Sequence, residues 1–269
     1  MKKFTLFSFL SILFSLTVYG GEVAPAGVTD WVFEGNSLRC QDGISSYTGF
    51  ALYSRGFIPV DPAKKYVVSG EFRTANGSKP AKFQLGVVSL DSNRRIIRPE
   101  NAIVVAGSGA AVVNAAVVNA APAGSKNITV KTIHRWNPKI KAYIVAKADN
   151  SGKFSDLPNF NVINEIAGIT VKDGKILEVA LKKPLSAALA AGESIRLHVG
   201  GAMHVCSKPV IAGNDWMKFS HVISGYSKGH TQTNFRHGAK FAKIFLLHNR
   251  GTKLEFKNIT LKELPAESK

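Results

Sequence analysis

"KKYVVSGEFRTA", Lys64–Ala75, alternates along its length: Tyr66, Val68, Gly70 and Phe72 fall on one side, Ser69, Glu71 and Arg73 on the other. Successive side chains of a strand point to opposite faces, so this period of two predicts a strand with one face in a core and one in water. Outward from it, "AKFQLGVVSL" (81–90), "KNITVKTI" (126–133), "KAYIVAKA" (141–148), "NEIAGITV" (164–171), "KILEVAL" (175–181) and "SIRLHVG" (194–200) are similar runs rich in Val, Ile and Phe. Turn-forming clusters such as "ANGSKP", "LDSNRR", "APAGSK", "ADNSGK", "KDG" and "GTK" separate the runs. Strands at this spacing, with no long helical period, predict an all-β fold: an antiparallel β-sandwich or a barrel. The best helix candidate is "LSAALAAG", Leu185 to Gly192, a turn or two bounded by Pro184 and Gly192. The low-complexity stretch 106–125, with "VVNAA" twice, suits a tightly packed strand.

Two registers are more specific. In "SIRLHVGGAMHVC" a three-residue loop, Gly200-Gly201-Ala202, would pair Val199 with Met203, His198 with His204 and Leu197 with Val205. That hairpin would gather Arg196, His198, His204 and Cys206 on one face. In "KLEFKNITLKEL" the apolar set switches from Leu254/Phe256 to Ile259/Leu261, which predicts a bulge near Lys257-Asn258.

Residues 1–20 have the order of a Sec signal peptide: Lys2 and Lys3, an apolar run from Phe4 to Val18, then small Gly20. The run is short for a membrane-spanning helix. No Cys follows the expected cut, so no lipid anchor is expected there. The mature protein is expected to be exported to the periplasm, cell surface or medium. No Pro/Ser-rich or charged block divides the rest, so one domain is expected over 21–264, with 265–269 a flexible tail. Cys40 and Cys206 could form a disulfide in an oxidising compartment or remain two thiols; spacing alone leaves both open.

The formal net charge is +17, and +15 without Lys2 and Lys3. Such an excess favours polyanionic partners. For an exported chain an acidic glycan, uronate or sulfated, precedes nucleic acid, which is not an expected partner. The basic character concentrates in one window: from Trp216 to Leu254 there is no Asp or Glu, but seven Lys or Arg and four of the seven His. Glycoside hydrolysis usually needs two carboxylates flanking the bond, and this window has none. Tyr226, Lys228, His230, Arg236 and His237 therefore form a candidate anion-binding loop, since the guanidinium fork fits sulfate and carboxylate. Trp136, in the polar "HRWNPK", is the candidate loop platform for sugar C–H groups, whereas Trp31 and Trp216 sit in strand-like runs and are expected in the core. His198 and His204 lack a third ligand at a suitable spacing, so no metal site is expected. "GxSxG", "GxxxxGK", "HExxH" and EF-hand patterns do not occur, and sequons stand at Asn76, Asn127 and Asn258.

"SRGFIPVDPAKKYVVSGEFRTA" (54–75) resembles the early strand pair of jelly-roll carbohydrate-binding modules in the galactose-binding-like superfamily, and "FQLGVVSLD" ends at Asp91 as the following strand does there. "GAKFAKIFLLHNRGTKLEFKNITLKEL" (238–264) is similar to their closing strands. The resemblance implies a jelly-roll sandwich that binds sugar. It also implies a structural calcium held by acids, but Lys257-Asn258 stands where the acidic pair would fall, so no cofactor is expected. "YSKGHTQ" (226–232) loosely resembles the "YFKxGxYxQ" pattern of jelly-roll alginate lyases, without its Phe and second Tyr. The alternatives to a non-catalytic binder are thus a polyuronate lyase, with His230 or Tyr226 as base, and an envelope or matrix interaction protein without a sugar ligand.

Overall fold

The computed structural model describes residues 30–33, 38–105, 114–132, 136, 141–149, 151–227, 229 and 231–265. The expected signal peptide, most of the expected tail, Lys228 and His230 lie outside the described residues. In chain order the first strands are β1 (Trp31–Phe33), β2 (Leu38–Gln41), β3 (Ile44–Tyr47), β4 (Ala51–Ser54), β5 (Ile58–Pro59), β6 (Lys65–Thr74) and β7 (Ala81–Leu90). A helical turn, α1 (Pro99–Ala102), precedes β8 (Asn114–Val117), β9 (Asn127–Thr132), β10 (Ala142–Ala146), β11 (Val162–Asp173), β12 (Ile176–Leu181) and β13 (Ser194–Val199). The chain continues with β14 (His204–Cys206), β15 (Val210–Ala212), β16 (Met217–Ser224), β17 (Tyr226–Ser227), β18 (Phe235–Arg236), β19 (Phe241–His248) and β20 (Leu254–Glu263).

The protein is all-β, an antiparallel sandwich. One sheet has the order β1-β4-β19-β7-β14, with β15 also on β7 and β5 on β19; the other runs β16-β6-β20-β3-β2. The alternation of Lys64–Ala75 is realised in β6, where Tyr66, Val68, Gly70 and Phe72 are buried and Ser69, Glu71 and Arg73 turn outward. Opposite it, β7 contributes Phe83, Leu85 and Val87 to the same core. Phe72 and Phe83 stack across the two sheets at 4.3 Å between centroids. Trp31 is wholly buried, edge-on to Phe256. Trp216 instead lies at the surface end of β16, half-buried, with Arg73 and Lys257 over its ring at 4.6 and 4.4 Å. The expected bulge is present: the β20–β6 register shifts between Lys257 and Thr260, and Asn258 takes a φ of 53°.

Strands β8 to β13 close separately into a barrel, β10-β11-β12-β9-β8-β13, with its own apolar interior including Val130, Ile144, Val179 and Leu197. The low-complexity stretch supplies β8 to it. Two expectations change here. Leu185 to Gly192 is not helical: Leu185 and Leu189 bury their side chains in the barrel, and their amides bond Ser125 O and Ala121 O at 2.8 Å. Such hydrogen bonds with another segment outweigh the weak helix propensity of eight residues.

The second correction concerns Gly200-Gly201-Ala202, which is a crossing rather than a hairpin loop. His198 belongs to β13 of the barrel, whereas His204 starts β14 and pairs with Val88 of the sandwich. Of the two states left open for the cysteines, the structure has two thiols: Cys40 on β2 and Cys206 on β14 lie in different sheets.

Candidate functional site

The basic loop is positioned by one aromatic anchor. Phe235 is wholly buried in the sandwich core, edge-on to Tyr66 at 5.6 Å. Because strand neighbours point oppositely, Arg236 turns away from that core. Its amide donates to Ser89 Oγ at 3.1 Å, which ties the loop to β7. Downstream, Gly238 has a φ of +80°, and a Cβ there would come 2.3 Å from Pro158 Cδ, so the loop must carry glycine where it docks on the 157–158 turn.

Arg236 is 1% exposed. Its Nη2 donates to Ala202 O at 3.1 Å, while Nε and Nη1 have no hydrogen-bond partner among the described residues. Burial lowers its pKa to about 10, so the guanidinium stays charged at neutral pH. It faces a cleft of about 320 Å³ lined also by Gln84, His204, Cys206 and Thr231. No carboxylate lines this cleft among the described residues. His204 stacks on Phe245 at 4.2 Å and 15°; burial first, and then the charge of Arg236, hold its pKa below the usual imidazole value. Burial pushes the Cys206 thiol up to about 11, leaving it protonated and a poor nucleophile. Gln84 is fixed by donating to Ser207 O at 2.7 Å.

Of the residues singled out in the sequence, Tyr226 and His237 come together, while Arg236, next to His237 in the chain, lines a cleft that Tyr226 does not. Tyr226 is 58% exposed beside the loop and meets the His237 ring edge-on at 4.6 Å. Trp136 is not a platform: it is 4% exposed within the barrel's apolar cluster. A barrel interior must be filled by side chains, and the largest available ring from the adjoining loop serves that purpose. His204 replaces Trp136 as a site residue. Its only sequence signal was the alternation His204-Val205-Cys206, which sets His204 and Cys206 on the face opposite buried Val205.

His198 is wholly buried in the barrel's own polar knot: its Nε2 accepts from Arg196 Nε at 2.9 Å and its Nδ1 lies 2.9 Å from Glu100 O. Among the described residues no group of three or more His, Cys, Asp or Glu could hold a metal. Nor do the residues at the calcium position implied by the resemblance fit a cation. Lys257 Nζ lies 3.6 Å from Glu71, and Asn258 Nδ2 donates to the same carboxylate at 2.9 Å.

No family model matches the chain. No curated protein matches it either. Among solved structures, one described as "CBM4 structure and function" aligns over 87% of this chain and 86% of its own, at 8% identity and a TM-score of 0.32. A superposition that loose bears on neither the architecture nor the site. No described helix is long and apolar enough to cross a membrane.

Proposed function

We propose that this chain is an exported, non-catalytic carbohydrate-binding protein whose ligand is an acidic polysaccharide carrying uronate or sulfate groups. The observation that carries this reading is Arg236. A buried guanidinium whose Nε and Nη1 have no partner among the described residues belongs to the lining of an acid-free cleft, and a carboxylate or sulfate reaching it is the acceptor those donors lack. Leaving such donors buried without an acceptor costs free energy in the unliganded protein, and a bound oxyanion would recover it. Tyr226 offers an exposed ring beside His237 for sugar C–H groups.

Titration of the mature protein with alginate, heparin and a neutral glucan at low and high salt tests the proposal. Binding is expected for the acidic polymers, weakening with salt as exposed charges are screened, and Arg236→Met should abolish it. Binding to the neutral glucan alone would overturn the anionic assignment. An ultraviolet-absorbing unsaturated product from alginate would replace binding by elimination chemistry. No binding to any of the three would return the protein to the class of envelope interaction proteins.

A further inference from the structure

The outer face of the seven-stranded sheet extends beyond the Arg236 cleft. Registers place His204 of β14 against Val88 of β7, and Val88 against Lys243 of β19. Lys243 is therefore two strand spacings from His204, about 10 Å. Its Nζ sits 4.5 Å from the centre of the Phe57 ring, and Arg94 covers the same ring at 5.1 Å and Phe241 at 5.6 Å. Phe57 is 38% exposed. Burial, and then the charge of Arg55, hold the Lys243 amine below its usual range.

Two like charges thus gather around one exposed ring, and no ion pair to either exists among the described residues. The arrangement is also held at a conformational cost. Arg94 adopts a φ of +59° in the turn after β7, a region that residues other than glycine seldom occupy. Asp91 fixes that turn, its Oδ1 accepting from the amides of Asn93 and Arg95 at 2.9 and 2.8 Å. The neighbouring Arg95 is neutralised by Asp91 Oδ2 at 2.8 Å, whereas Arg94 is left over the rings.

We infer that Lys243 and Arg94 around Phe57 form a second anion subsite, so that one linear acidic polysaccharide is held both there and at the Arg236 cleft. This inference rests on the acidic-polysaccharide reading above. Unpartnered cations call for an acidic ligand, and an aromatic face beside them suits a sugar ring. Two tethered contacts raise the affinity of a ligand long enough to span them and leave a short one unaffected.

The test is calorimetric titration of the mature protein with heparin di- and octasaccharides, comparing wild type with an Arg94→Asn/Lys243→Gln double variant. Asparagine tolerates the positive φ, and glutamine keeps the alkyl contact with Phe57 while removing the charge. Octasaccharide affinity should fall about five- to tenfold in the double variant, with disaccharide affinity unchanged. Equal loss on both ligands, or none on the octasaccharide, overturns the second subsite and leaves the Arg236 cleft standing. Failure of the wild type to bind either fragment overturns both. Tighter binding to phosphatidylglycerol vesicles than to the octasaccharide, lost in the double variant, would reassign the patch to a lipid surface and overturn the inference.

Discussion

Arg196 in the barrel and Arg236 in the sandwich are both fully buried, 0% and 1% exposed, but their surroundings differ completely. Arg196 holds Asp156 with both Nη atoms, at 3.1 and 2.6 Å, donates Nε to His198, and reaches Asp149 O at 3.3 Å. Arg236 has one carbonyl, Ala202 O, and two idle nitrogens. The first guanidinium is consumed by the fold. The second is withdrawn from water without being satisfied, which a structure tolerates where a ligand will complete it. Burial of a cation therefore says little by itself; the partner inventory separates a clamp from a receptor.

The sharpest way to break this comparison is to remove each charge in turn. Arg196→Met strands Asp156 and His198 and should cost about 3–5 kcal/mol in chemical denaturation. Arg236→Met should leave stability unchanged or raise it by about 1–3 kcal/mol, because it deletes unpaired buried donors. A large loss from Arg236→Met would mean that the fold depends on that charge as well. Trp136→Ala should cost about 3–5 kcal/mol through the cavity in the barrel while leaving glycan affinity within about twofold. Loss of binding in that variant would restore the ring to the site.

Acid should act oppositely on the fold and on the site. Burial holds the pKa of His198 down to about 3, and it also lowers those of His204 and His248. The unfolded value is about 6.5, so below it the unfolded chain binds more protons and stability falls with pH, by at most about 1.4 kcal/mol per unit for each group. The decline begins near pH 6.5 and continues for His198 toward pH 3. An oxyanion placed between Arg236 and His204 would instead raise the His204 pKa, so affinity for sulfated fragments should increase by about twofold or more from pH 7 to pH 5. Denaturant midpoints and titrations over the same pH series check both signs. The smallest effect concerns sulfur: with no bridge between Cys40 and Cys206, dithiothreitol should leave the melting temperature unchanged within about 1 °C.

The strands of the sandwich were legible because β6 and β7 carry clear patterning, and the Lys257-Asn258 bulge because the apolar phase visibly slips there. The barrel was not. Its strands have the same lengths, turns and β-branched content, and a period of two is common to sandwiches and barrels. The failed hairpin shows the limit. Val199/Met203 and Leu197/Val205 made a consistent local register, yet Val205 pairs with Val87, far away in the chain. Alternation fixes which side chains share a face and not which strand lies beside them. Arg236 was likewise visible as a cation in an acid-free window, whereas its missing partners depend on the whole tertiary neighbourhood. Trp136 was misplaced because its polar, proline-ended neighbours describe the loop backbone rather than the direction of the ring.

The bridge between Val104 and His198 has one more consequence, reinforced by Val199 N bonding Ile103 O at 2.8 Å. The chain departs for the barrel and returns from it side by side, like the two ends of a handle riveted to one plate. Strand order in the sandwich is therefore indifferent to how much chain the handle contains. Length changes in the barrel's distal turns can accumulate without re-threading either sheet, and fusion or labelling there would leave the Arg236 face untouched.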